Sequence, residues 1–300
     1  MTDRQSHAGA PGRRQRLKAP LDGLYDSFNV PDSALDPIQI VRQYREARDL
    51  EVVAFIAAGL AFGRVSIVMD SVRRVVGLMG PSPAAFVRAF EPARDRALFD
   101  GFVHRWVRDR DIVALLWVLR QMLERGGSLE SFFLETDPGG DDVHGALDAF
   151  CTRAMALDLR GAYGRVPARP GVAAFFPKPS GGSACKRLNL FMRWMVRRDA
   201  LDLGVWTRVS PSRLIIPLDT HIIRVAQCLR LTSYASPGWA MARDITRALR
   251  ALDPDDPVRY DFSVCHLGMM NACGNGTPRG NAHCPLKGVC RPARVAAARE

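Results

Sequence analysis

A chain of 300 residues that is 47% hydrophobic can bury a sizeable core and needs no disulfide staples to hold it. Its net charge of +11 and pI near 9.8 point to a polyanionic partner, nucleic acid first and an acidic membrane surface second. Four of the seven cysteines lie after residue 260, which argues for a local metal or cluster site over a secreted disulfide framework.

Residues 1–20, MTDRQSHAGAPGRRQRLKAP, are polar and arginine-rich and read as a disordered basic arm. They hold no apolar stretch of the signal-peptide kind. The longest apolar run, VVAFIAAGLAF at 52–62, is too short to span a bilayer. A cytoplasmic chain with no membrane partner is expected. From 21 to 300 helical periodicity recurs and alternating strand patterns do not, which predicts an all-α fold of roughly ten helices. Helices are expected over 36–46, 50–62 and 65–78, the last with Val65, Val68, Val72, Val75 and Val76 on one side. Others follow from Pro83 and over 110–124 and 143–157. A loop-rich stretch then leads into GGSACKRLNLFMRWMVRRD at 181–199. Three further helical patterns lie in PLDTHIIRVAQCLRL, WAMARDITRALRAL and PVRYDFSVCHLGMMNAC.

The segment at 181–199 carries the first chemistry. A helix that starts after a glycine-rich turn presents free backbone N–H groups and a positive dipole end, a ready anion site. Gly181, Gly182, Ser183 and Ala184 leave room for a phosphate to approach. Lys186 and Arg187 add charge. Leu188, Phe191, Met192 and Met195 form an apolar face, while Lys186, Asn189, Arg193 and Arg197 recur at i, i+3, i+7 and i+11. Arg187, Arg193 and Arg197 are therefore expected to contact nucleic acid; the alternative is a solvated stripe over a buried back. Asp219 stands just before the next helix, where it is either a plain N-cap, with Thr220 as its rival, or a reactive carboxylate.

Together the two segments resemble the helix-hairpin-helix DNA glycosylase superfamily of base-excision repair, the endonuclease III relatives. There a G-V-G-x-K-T-A-N hairpin is followed by V-D-T-H; here Gly182-Ser183-Ala184-Cys185-Lys186 with Asn189 is followed by Leu218-Asp219-Thr220-His221. More closely, CKRLNLFMRWMVRRD, LIIPLDTH and DPDDPVRYDF resemble a bacterial conserved family of unknown function within that superfamily. The resemblance implies a two-lobed helical fold over 21–300, with the hairpin and catalytic-type segment at 175–232 and a Cys-rich segment at 261–292. It implies a DNA glycosylase, with AP lyase activity as an added step, acting on a damaged or mismatched base. Lys186 and Asp219 are the implied catalytic pair and DNA the implied partner, with RNA not excluded. Three departures stand out. Ala184 replaces the second hairpin glycine, Ala61-Phe62-Gly63-Arg64 occupies the place of S-Q-Q-T, and Lys186 and Asp219 lie 33 residues apart (219 − 186). The extra residues, DALDLGVWTRVSPSR, are expected to reshape the pocket, and their Trp206 is the candidate wedge or a buried anchor.

Base excision breaks a C1′–N bond through a transition state with oxocarbenium character, which a nearby carboxylate stabilises. A neutral lysine amine can attack C1′ and form a Schiff base. The base must leave the stack, so a pocket is required. The superfamily's cluster pattern, Cys-x6-Cys-x2-Cys-x5-Cys, implies a [4Fe–4S] site on Cys273, Cys284 and Cys290, with zinc as the alternative metal and a metal-free loop as the third outcome. The fourth ligand is Cys265 or His283. Cys265 would need a helix break, since eight residues of continuous helix span ~12 Å. Beside the enzyme stand two other readings: a non-catalytic binder of DNA or RNA, and a basic structural protein.

Overall fold

The computed structural model describes residues 13–32, 35–270 and 284–290. In chain order its α-helices are α1 (Arg13–Phe28), α2 (Ile38–Val41), α3 (Ala47–Gly59), α4 (Val65–Gly77), α5 (Pro83–Ala89), α6 (Pro92–Asp95) and α7 (Asp109–Gly126). Then come α8 (Leu129–Leu134), α9 (His144–Met155), α10 (Arg160–Tyr163), α11 (Lys186–Val196), α12 (Thr220–Cys228), α13 (Trp239–Arg250) and α14 (Asp261–Met269). The extended structure is one antiparallel ribbon, β1 (Val103–His104) with β2 (Val107–Arg108). The all-α expectation holds. No helix among the described residues is long and apolar enough to cross a membrane.

The architecture grows from α3, whose residues are buried from Asp49 to Gly59. A helix apolar nearly all round must be covered on every side, and α2, α5, α8 and α11 cover it. At its end, a Cβ on Gly59 would stand 2.8 Å from the Phe175 ring, so only glycine admits this contact. The valines of α4 at 68, 72, 75 and 76 are buried and Val65 is half-buried, as their spacing predicts. Buried side chains run in one cluster from Leu17 to Leu286, so the two lobes implied by the resemblance share a core.

Three expectations are corrected here. First, the basic arm expected over 1–20 is already helical from Arg13: Leu17, Leu21 and Leu24 form a buried stripe at i, i+4 and i+7, and α1 packs on α14. Pro20 sits inside the helix, and Tyr260 Oη donates to Asp22 Oδ1 at 2.6 Å. Second, of the two readings of Trp206 the wedge gives way to the buried anchor. It is 2% exposed, meets Phe191 edge-on and donates from Nε1 to Glu51 Oε1 at 2.6 Å. Third, the extra loop around it does not line the pocket described below. Its Leu201, Asp202, Trp206 and Val209 are buried.

Arg193 and Arg197 explain that loop. They are 2% and 4% exposed and face inward. Arg193 donates to Asp202 Oδ1 at 3.2 Å and to Asp261 Oδ2. Arg197 donates to Asp202 Oδ2, to both oxygens of Asp256 at 2.8 and 2.9 Å, and to Asp199 Oδ2 at 2.9 Å. Tyr25 of α1 donates to Asp199 Oδ2 at 3.1 Å. Burial works against the charge of both arginines, but the aspartates outweigh it and hold each guanidinium above its ordinary pKa. The network ties α1, α11, the extra loop and α14 together. Both arginines are turned inward onto carboxylates, and neither stands at the surface as a phosphate contact.

Removing one partner of such a network leaves a buried charge uncompensated. Asp202→Ala is expected to cost about 3–5 kcal/mol in urea denaturation. Arg64→Ala, at an exposed residue without an ion pair among the described residues, should stay within about 0.5 kcal/mol. Equal effects of the two would contradict the network's role.

Candidate active site

Lys186 and Asp219 line the same cleft, of about 170 Å³. Its walls come from residues 35–37, from 61–68, from the start of α11, from Pro217 to His221 and from α14.

The hairpin turn supplies Lys186. Two 3₁₀ turns, Gly171–Phe175 and Pro179–Gly181, precede it instead of an α-helix. Gly182 is left-handed at φ 80°, and Cys185 follows at φ 48° as the residue before α11. Cys185 is fixed by its thiol donating to Pro177 O at 3.3 Å. Asn189 closes the turn, donating from Nδ2 to Ala184 O at 3.0 Å. Gly182 O accepts from Trp239 N at 3.2 Å, which anchors the turn to α13. Gly181 and Gly182 remain exposed, and Ser183 and Ala184 are half-buried. Lys186 is half-buried and donates from Nζ to Ala61 O at 3.2 Å.

Arg187 does not point to solvent as expected. It donates to Gly59 O at 2.7 Å and to Ala174 O, and its guanidinium lies 5.0 Å from the Phe62 ring centroid. Burial lowers its pKa. Of the seven residues expected to grip nucleic acid, Gly181 and Gly182 are exposed, Ser183, Ala184 and Arg187 are half-buried, and Arg193 and Arg197 are buried. Other cations take that position: Lys178 beside the turn, and Arg64 and Arg105 near the cleft mouth, are exposed.

Asp219 performs the N-cap role fully. Its Oδ1 accepts from His221 N and Ile222 N, each at 2.9 Å. Its Oδ2 accepts from Cys265 Sγ at 3.3 Å. The cap and the thiol fix the carboxylate at the edge of the cleft. This placement depends on α12 packing closely on α14, where a Cβ on Gly268 would fall 2.8 Å from His221 Cβ. Burial, with Asp219 and Asp261 adding to it, raises the Cys265 thiol well above its ordinary pKa. In this arrangement the Cys265 thiol is engaged with Asp219. Cys284 is buried and Cys290 half-buried in a short turn, while Cys273 and His283 lie outside the described residues. Among the described residues no group of three His, Cys, Asp or Glu converges as a metal site.

Sequence reasoning missed two parts of the site. One is the lip. Trp106, 59% exposed at the tip of the β1–β2 ribbon, stacks on Phe62 at 4.3 Å and 16°. His104 locks this pair, donating from Nε2 to Phe62 O at 3.1 Å and accepting on Nδ1 from Ser71 Oγ at 2.8 Å. Phe62 lies between Ala61 and Gly63, which both line the cleft. The other is the inner wall, where Asp261 and His266 stand on α14. Burial pushes the Asp261 carboxyl up to about 6 against the pull of Arg193, with Asp219 adding to the rise.

Residues 36–270 match the family described as "Protein of unknown function (DUF2400)". The chain belongs to that family. The match takes in every residue of the cleft except Leu35 and ends before Cys273. No curated protein and no solved structure matches the chain significantly.

The raised Asp261 carboxyl has a defined pH signature. Its proton is held more tightly in the folded chain than at the ordinary 3.8, so its contribution to stability is full below that pH and is lost as pH rises through about 6. A carbon-13 carboxyl titration, assigned with Asp261→Asn, should give a midpoint near 6, and wild-type stability relative to the variant should fall from acid to neutral pH. A midpoint at 3.8 contradicts the burial argument.

Proposed function

We propose that this chain is a DNA-binding base-excision protein of the helix-hairpin-helix glycosylase kind, which removes a damaged or mismatched base. The observation that carries the reading is the meeting of Lys186 and Asp219 in one cleft, from helix starts 33 residues apart (219 − 186). The net charge of +11 and the exposed turn beside the cleft support it.

In this reading the extruded nucleotide enters between the turn and the ribbon. Asp219, held by its cap, faces the sugar and stabilises positive charge as the C1′–N bond lengthens. The bonding pair leaves with the base. In the lyase step the Lys186 amine attacks C1′, a proton of the amine passes to O4′ as the C1′–O4′ bond breaks, and the resulting iminium on the opened sugar loses a C2′ proton to water as the 3′ C–O bond breaks and the phosphate leaves. The hydrogen bond to Ala61 O holds Nζ at the cleft wall. Trp106, backed by Phe62, is placed to occupy the gap that the base leaves, in the role the S-Q-Q-T segment has in the superfamily.

The complete capping of α12 by Asp219 favours a second reading, a non-catalytic nucleic-acid binder, because capping alone already accounts for that residue.

Incubation with lesion-bearing and abasic duplexes plus borohydride separates the two. A covalent adduct is expected, lost in Lys186→Ala. Excision should fall at least about 100-fold in Asp219→Asn. Tight, salt-dependent binding with neither adduct nor excision gives the binder reading instead. Failure to bind any duplex contradicts both.

A further inference from the structure

The lip of the cleft is built as an open aromatic surface. Trp106 is 59% exposed, and one face of its indole lies on Phe62 at 4.3 Å and 16°. That leaves the opposite face to solvent. A single exposed aromatic is ordinary on a protein surface. This one is held from behind. The Arg187 guanidinium lies 5.0 Å from the Phe62 ring centroid, and the His104 ring meets Phe62 edge-on at 4.6 Å and 70°. Arg187 is fixed in turn by Gly59 O and Ala174 O, and His104 by Ser71 Oγ and Phe62 O. The fold therefore orders the indole before any ligand arrives, and a preassembled surface loses less entropy on binding.

The surroundings are cationic. Arg64, Arg105, Arg108 and Arg110 are exposed, and none is in an ion pair among the described residues. The neighbouring carboxylate, Asp109, is engaged with backbone, accepting from Gly101 N and Arg110 N. At the ribbon tip Arg105 takes φ 56°, a left-handed backbone that glycine adopts more easily. Its side chain lies against Gly63, where a Cβ would stand 3.3 Å from Arg105 Nε. The tip thus carries a cation at a position that turn geometry alone would give to glycine. Burial, and then the charges of Arg105 and Arg187, lower the His104 pKa, so positive charge extends beneath the stack as well.

We propose that the Phe62–Trp106 stack is a platform for an unpaired nucleobase, and that the lip takes a single-stranded stretch of nucleic acid. A base offers the indole a flat π-face, and its strand offers phosphates to the arginines. Stacking of this kind accepts any of the bases. An acidic membrane surface would also attract the arginines, but it does not call for a second ring stacked beneath the first. This goes beyond the excision reading, in which the same indole enters a gap opened in a duplex. A platform already assembled in the free chain favours strands that need no opening.

The test is equilibrium binding of the full chain to a short mixed-sequence single strand, to a strand of equal length with tetrahydrofuran in place of every nucleoside, and to the fully paired duplex. The two single strands carry the same phosphates and differ in their bases. The base-bearing strand should bind at least about fivefold more tightly and quench tryptophan fluorescence. Trp106 dominates that signal, because Trp194, Trp206 and Trp239 are buried and Trp117 is half-buried. Trp106→Ala should remove most of the preference for bases, and Trp106→Phe, which keeps a stacking ring, should retain part of it. Trp106→Ala should also weaken the single strand far more than the duplex. Equal affinity for the base-bearing and base-free strands overturns the proposal. So does a preference unchanged in Trp106→Ala, an equal loss for single strand and duplex, or Trp106-dependent binding to phosphatidylglycerol vesicles without discrimination between the strands. Base-dependent single-strand binding without any excision would leave this inference standing and remove the enzymatic reading. Excision from duplexes without base-dependent single-strand binding would do the reverse.

Discussion

Everything about the cleft depends on a buried pair of arginines. Arg193, in the last turn of α11, and Arg197, just past its end, gather Asp199, Asp202, Asp256 and Asp261 around them. Burying so many charges carries a large desolvation cost, which only near-complete mutual pairing offsets. Such a network tolerates little displacement, because each lost partner leaves a charge stranded. It therefore sets the position of α14 against α11. Since α12 packs on α14 through Gly268, it also sets where Asp219 lies relative to Lys186. The loop that lengthens the path from Lys186 to Asp219 is then a supplier of carboxylates and of the Trp206 anchor, and the two residues still share a cleft.

The cleft joins three kinds of surface. Its outer edge is cationic and aromatic, with Arg64, Arg105 and the Trp106–Phe62 stack. Its middle holds an amine and a carboxylate, each fixed by backbone or thiol contacts. Its lining includes four buried polar atoms without a hydrogen-bond partner among the described residues, on Arg193, His221, Asp261 and His266.

The sequence made much of this legible, and the exceptions have physical causes. Helices with long apolar stripes, such as α4, α7 and α13, were readable because periodicity alone decides them. Asp219 was readable as a cap because the cap is local. The arginines of α11 were not. Their i, i+4 spacing is the same whether they face water or carboxylates brought from residues 199–261, and periodicity cannot see partners so distant in the chain. The run of aspartates in RRDALD, DPDDP and YDF was the available signal. Helix α1 was hidden by Pro20 and by the density of basic residues, although Leu17, Leu21 and Leu24 keep helical spacing. Trp106 escaped because its ribbon has two residues per strand, too short for any alternation to register. Asp261 and His266 looked like polar punctuation in an apolar helix, and only burial without a partner marks them.

The central claim is that Asp219 faces a sugar that becomes positively charged beside Lys186. Affinity for two abasic-site mimics in otherwise identical duplexes tests it most directly, one with a cationic pyrrolidine ring and one with a neutral tetrahydrofuran ring. The account predicts that the cationic mimic binds at least about tenfold more tightly, and that Asp219→Asn abolishes the difference. Equal affinity for the two mimics, or a preference that survives in Asp219→Asn, would contradict it.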